Sequence, residues 1–326
     1  MSRNCSPQEE SRPDRRVIAL SALFGGGLCL GVAPVIVKAV ELPAEASAFY
    51  RVLLAAPVFA AWALVQKRAA APKLESKRPP FALIFFAVAF FAADLTAMHL
   101  SIRMTDVAVA TLLTNCAPFF VGLFGMAGFT DVPTSRFWKT LFIALGGILL
   151  LVGVPKASFE ETGGVLLGLA AAGCYAGYLI SVRNLRAYGA SPAHIMAWVT
   201  VGSTVLIAPI FIYVGAPLPA DLKTWVLVIA LTFSGQIAGQ GLITVALRSF
   251  PVSVASLTLL IQPTVAAVVS WLALGEVLSF IQLCGVALVL LAIAGMSVDR
   301  TPKEVSEGRR PSGFNTSASH AYEDCQ

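Results

Sequence analysis

Polar and apolar positions along this chain fall into long blocks. Ten apolar runs stand near residues 17–40, 47–66, 81–103, 107–129, 137–154, 163–183, 193–214, 223–247, 252–274 and 278–298. Each is about 20 residues long, the length of helix that crosses a hydrocarbon core of ~30 Å. A backbone N–H or C=O in lipid has no water to bond, so every run is predicted to be helical. The runs do not alternate in segments of ~10 residues, which excludes an outer-membrane β-barrel. Polar sequence is confined to residues 1–16, the Lys73–Pro80 connection and the stretch after Asp299, whose Pro, Ser and Thr content predicts disorder.

The pattern is written twice. Arg103 to Asp131 and Arg248 to Glu276 are copies 145 residues apart, and the same shift relates Ala110 to Ala255, Pro118 to Pro263, Cys29 to Cys174 and Lys38 to Arg183. Each copy has a proline inside an apolar run and an acidic residue thirteen positions later. An internal repeat of this length defines the architecture. Duplicated bundles with interrupted helices are how many secondary transporters are built. Five spans per copy force the two copies into opposite orientations. The predicted fold is therefore an all-α integral membrane protein, with ten transmembrane helices forming two inverted five-helix repeats around a central cavity. Its expected domains are an N-terminal tail (1–16), a first repeat (17–154, helices 1–5), a second repeat (163–298, helices 6–10) and a disordered C-terminal tail (299–326).

Composition agrees with that solvent. Of 326 residues, 57% are hydrophobic and 13% charged, with mean hydropathy +0.79. A soluble domain carries about a quarter charged residues. The net charge of +5 does not point to nucleic acid, because the Lys and Arg lie in connections between spans. One alternate set of connections and tails carries eighteen of them, including Arg15, Arg16, Lys67, Arg68, Arg136, Lys139, Arg186 and Arg248. The other set has only Lys156, Lys223 and the helix-end residues Lys38 and Arg103. By the positive-inside rule both termini are expected in the cytoplasm. The run from Val17 lacks a small-residue cleavage pattern and is expected to be a retained helix. The six cysteines form no C-x-x-C pair, so neither a disulfide framework nor a metal site is indicated.

The string Pro263, then Trp271-Leu-Ala-Leu-Gly275-Glu276, Gln282, Gly285 and Gly295, resembles the EamA half of the drug/metabolite transporter superfamily. Phe24-Gly25, Lys38 and Arg51 add to the likeness, which covers 17–298. The first copy departs from the pattern: Thr130-Asp131 replaces Gly-Glu, and Arg51 has no basic counterpart in the seventh span. The resemblance implies a ten-span bacterial exporter of amino acids, other metabolites, drugs or nucleotide sugars.

Several polar residues inside the spans are candidates for that work. Asp94 sits mid-span, where a charge is retained when it faces a cavity or a partner. It reads either as a substrate-amine or proton site, or as a structural pair with Arg51. His99 titrates near neutral pH in its unperturbed form, but it projects about 140° from Asp94 on a helix of 3.6 residues per turn. Gln236 and Gln240 are an i,i+4 pair on one helical face, near Gly239, the copy of Asp94. Asn115 and Gln262 flank Pro118 and Pro263, the candidate hinges, where a proline-induced kink leaves a carbonyl for a ligand or an amide. Tyr175 and Tyr178 are candidates to line the cavity, or to pack. Arg51 and Lys38 are candidate coupling or structural charges. Gly25–Gly27, Gly31, Gly173 and Gly177 give spans 1 and 6 smooth faces for close packing.

The function these features favour is a secondary transporter that exports small metabolites, amino acids or related zwitterions first, by facilitative or proton-coupled alternating access. A multidrug or nucleotide-type carrier is the alternative within the superfamily. A membrane transferase is the alternative outside it, but the clustered acid–base or metal-ligand residues such chemistry needs are not evident. A channel would favour a ring of like charges. No catalytic residue, cofactor or metal is assigned. The expected partners are a small-molecule substrate and the lipid bilayer, with no nucleic acid and a monomer as the simplest assembly.

Overall fold

The computed structural model of the protein describes residues 13–69, 79–105, 107–152, 162–274 and 279–297. Residues 1–12, Lys73, Lys156, Gly275, Glu276 and the C-terminal tail lie outside the described residues. All ten predicted runs are helical. Span 1 is Pro13–Ala39, span 2 Ala44–Ala69, span 3 Phe81–Met104 and span 5 Ser135–Val152. Spans 6, 7 and 10 are Thr162–Ala187, Pro192–Tyr213 and Phe280–Ser297. The other three are not simple rods.

Spans 4 and 9 break at matching places. Span 4 consists of Val107–Thr114 and Ala117–Met126, and span 9 of Val252–Thr258 and Ile261–Leu274. Sequence reading placed a kink at each proline; the structure instead ends one helix and starts another just before it. Pro118 and Pro263 both fall in the first turn of the new half-helix, where a missing N–H costs no intrahelical bond. Tight turns close each break: the Cys116 N–H donates to the Leu113 carbonyl (2.9 Å) and the Leu260 N–H to that of Leu257 (3.1 Å).

Span 8 departs differently. Leu222–Leu231 and Gly241–Ala246 are α-helical, and Thr232–Gln240 between them is a π-helix. Its sequence, TFSGQIAGQ, is rich in glycine and a poor α-helix former.

Packing follows a two-fold exchange of the repeats. Span 3 packs along span 6 as span 8 packs along span 1, and span 4 lies on span 6 as span 9 lies on span 1. Spans 2 and 7 pair with each other, as do spans 5 and 10. Without a hydrophobic driving force between helices in lipid, association depends on close backbone approach. Gly147 of span 5 and Gly285 of span 10 supply it: a Cβ on Gly285 would lie 2.6 Å from the Gly147 carbonyl oxygen, and one on Gly147 2.9 Å from that of Gly285. Gly31 does the same for span 1 against span 9, where a Cβ would meet Val265 at 2.6 Å. Apolar side chains such as Val205, Ile212, Phe280 and Leu291 point outward, as lipid contact requires.

Candidate functional site

The broken spans meet in the middle of the bundle around a cavity of about 70 Å³. Its wall is built in pairs related by the 145-residue shift: Leu30 with Tyr175, Leu95 with Gln240, Thr114 with Leu259, Asn115 with Leu260, and Ala117 with Gln262. The cavity therefore lies on the pseudo-two-fold axis between the repeats. In each of the five pairs one member is polar and the other apolar, so a symmetric shape carries an asymmetric chemistry.

Two charges join this wall, Arg51 from span 2 and Asp94 from span 3. Both are buried, at 2% and 7% exposure. Within 4 Å there is no ion pair between them among the described residues. Arg51 instead donates from Nη2 to the Gly235 carbonyl in the π-helix at 3.1 Å. Its Nε and Nη1 have no hydrogen-bond partner among the described residues. Gln240 donates from Nε2 to the Tyr175 hydroxyl at 3.4 Å, and its Oε1 is left without a partner.

Of the residues singled out from sequence, Arg51, Asp94, Asn115, Pro118, Tyr175, Gln240 and Gln262 line this cavity. The others stand apart from it. His99 is fully buried with Nδ1 2.7 Å from the Ser47 hydroxyl, which itself donates to the Ala44 carbonyl at 2.9 Å. That tether joins span 3 to the start of span 2. Tyr178 lies behind the wall, stacked on Tyr175 at 5.8 Å, with its hydroxyl 3.8 Å from the Met196 sulfur. Pro263 is buried behind Gln262, and Lys38 is exposed at the end of span 1. Gln236 is 0% exposed and outside the cavity wall, although Gln240 is in it. The expectation that the two glutamines share a face assumed an α-helix. The stretch is instead a π-helix, whose turn takes in one more residue, and only Gln240 of the two meets the wall.

Sequence reading missed Pro34, Ser256 and the Gly235 carbonyl as parts of the site. The glycine-rich stretch Gly235, Gly239, Gly241 was the available signal for irregular backbone. Among the described residues, no group of three or more His, Cys, Asp or Glu stands ready to hold a metal ion.

Two copies of one family pattern account for this architecture: residues 17–153 and 162–298 each match the EamA-like transporter family. The chain belongs to the EamA-like transporter family. It is thus a multi-span membrane transporter rather than an enzyme. Among similar proteins, the threonine/homoserine exporter RhtA of Salmonella typhimurium is 28% identical over 218 residues, 63% of this chain and 68% of that protein. The uncharacterized transporter YwfM of Bacillus subtilis is 25% identical over 242 residues, 72% of this chain and 79% of YwfM. The uncharacterized transporter sll1319 of Synechocystis is 25% identical over 211 residues, and the chain spans 63% of its length. A crystal structure superposes with TM-score 0.72 at 16% identity, covering 88% of this chain and 98% of that one, which supports the fold alone.

Proposed function

We propose that this EamA-type transporter exports small zwitterionic metabolites, amino acids first among them, by alternating access across the bacterial cytoplasmic membrane. The observation that carries the reading is the placement of Arg51 and Asp94: groups of opposite charge, both buried, on the wall of one cavity and more than 4 Å apart. A single charge at the centre of a membrane helix costs about 2.5–3.5 kcal/mol or more. A solute bearing both signs compensates both charges at once; a purely cationic or anionic one leaves the other exposed to lipid-like surroundings.

The likeness to threonine/homoserine exporters supports an amino-acid substrate. Breaks in spans 4 and 9 provide hinges on either side of the cavity, and the glycine contacts between repeats permit sliding. Both termini face the cytoplasm in this reading, on the Lys and Arg distribution. Asp94 is the group that couples export to protons.

Purified protein in liposomes loaded with labelled threonine or homoserine tests this directly. Efflux is expected to exceed that of protein-free liposomes, to rise with an opposing proton gradient, and to fall at least about 10-fold in Asp94→Asn, the loss of one charge-assisted contact. Transport of organic cations or nucleotides with no amino-acid flux would overturn the proposal. Full proton-driven flux in Asp94→Asn would remove that residue's coupling role.

A further inference from the structure

The π-helix of span 8 has no counterpart in span 3, and it is where Arg51 docks. A Cβ on Gly235 would lie 2.9 Å from Arg51 Cζ and 3.0 Å from Nε, so only a glycine lets the guanidinium lie against this backbone. One donor, Nη2, is taken by the Gly235 carbonyl. Nε and Nη1 remain unpartnered at a cavity wall where the whole residue is 2% exposed. On the same wall Gln240, 3% exposed, holds an unpartnered acceptor, Oε1, beside the carboxylate-bearing Asp94. Buried polar groups in folded proteins are almost always satisfied, and a guanidinium donor is among the most costly to leave bare. The unmet groups on this wall divide by type, donors on Arg51 and an acceptor on Gln240, and Asp94 adds a carboxyl group to it.

We infer that the cavity binds its substrate in one orientation, with a free carboxylate on Arg51 Nε and Nη1 and an ammonium group between Asp94 and Gln240 Oε1. The π-helix is the device that presents Arg51, and Gly235 is its positioning residue. Guanidinium groups match carboxylates in planar geometry and stay charged in every accessible condition. This rests on the amino-acid reading above and narrows it: the substrate carries both an unblocked carboxylate and an amine, which excludes amino alcohols, decarboxylated amines and C-terminal amides.

The test is binding by isothermal titration to the full chain in nanodiscs, using L-threonine, L-homoserine and threoninol, which keeps the amine and hydroxyl but lacks the carboxylate. Threoninol is expected to bind about 10- to 100-fold more weakly than threonine, the span of one or two charge-assisted bonds. In Arg51→Met the two ligands should bind alike. Gly235→Ala retains the charge but shifts the guanidinium, so it should lose part of the discrimination, seen as weaker threonine binding with threoninol binding little changed; it also serves if Arg51→Met fails to fold. Equal binding of threonine and threoninol to the wild type would overturn the subsite while leaving amino-acid export standing. Undiminished discrimination in both variants would overturn it as well. Absence of binding by either amino acid, with a different solute transported, would overturn both readings together.

Discussion

Two corners of the molecule are copies of one ancestral segment and now do different things. In the first repeat, Ala87–Leu95 is an ordinary α-helical stretch of span 3 that packs against spans 6 and 7. In the second, Thr232–Gln240 is a π-helix that takes in Arg51 of span 2. Position by position, 145 residues apart, Phe90 faces Gly235, Phe91 faces Gln236, Leu95 faces Gln240, and Arg51 faces Met196. The first corner is closed by packing: Phe90 fills the space over Gly177, and Phe91 lies 4.7 Å from Tyr178. The second corner keeps unpartnered polar atoms on Arg51, Gln236 and Gln240. Asp94 is the one reversal, a carboxylate where the second copy has Gly239. Duplication supplies the shape of the cavity, and divergence within each pair supplies its chemistry.

The sharpest way to break this comparison is to put the charge at the copy of Arg51's position, Met196. Met196 is fully buried, with the Tyr178 and Thr244 hydroxyls against its sulfur and Phe59 and Ile237 packed in the same cluster. Met196→Arg is expected to cost about 3–5 kcal/mol as an unpaired buried charge, seen as collapse of the monodisperse peak and of the thermal midpoint. A variant as stable as wild type would show that both copies of the position tolerate charge equally. A smaller effect of opposite sign is expected at Gln236, whose amide has neither donor nor acceptor satisfied among the described residues. Gln236→Leu should raise stability by about 1–3 kcal/mol, measured by thermal unfolding in detergent, with threonine efflux held within a few-fold. Loss of transport there would bring Gln236 into the substrate site.

The smallest effect separates the outer ends of the two segments. Span 3 starts after Pro80 with no side-chain cap, whereas span 8 starts at Asp221, whose carboxylate accepts the Thr224 N–H at 2.7 Å. Hydrogen bonds from the Thr224 side chain and backbone hold the Asp221 carboxyl below the usual carboxylate range. A depressed value in the folded state means the stabilisation is present above the ordinary carboxylate pKa of ~4 and is lost as pH falls through the folded-state value. Wild type should therefore lose slightly more thermal stability between pH 7 and pH ~3 than Asp221→Asn, which caps without a charge. Identical pH slopes would show that the cap carries no electrostatic component.

Much of this protein was readable from its residues alone. The ten apolar blocks dictate ten helices because lipid leaves the backbone no other way to satisfy its polar groups. The 145-residue shift dictates two repeats, and five spans in each dictate their opposite sense. Asp94, Arg51 and the mid-span prolines stood out because a charge or a missing N–H inside an apolar run needs a reason. What only tertiary structure decided was which of these groups meet. Gln240 reached the cavity and Gln236 did not, although both stand on the π-helix against which Arg51 presses at Gly235. His99 went to Ser47 rather than to Asp94 because the start of span 2 lies against it. A helix's periodicity is local and legible in its own residues; the widening of a turn, and the partner each polar group finds, depend on a neighbour far away in the chain.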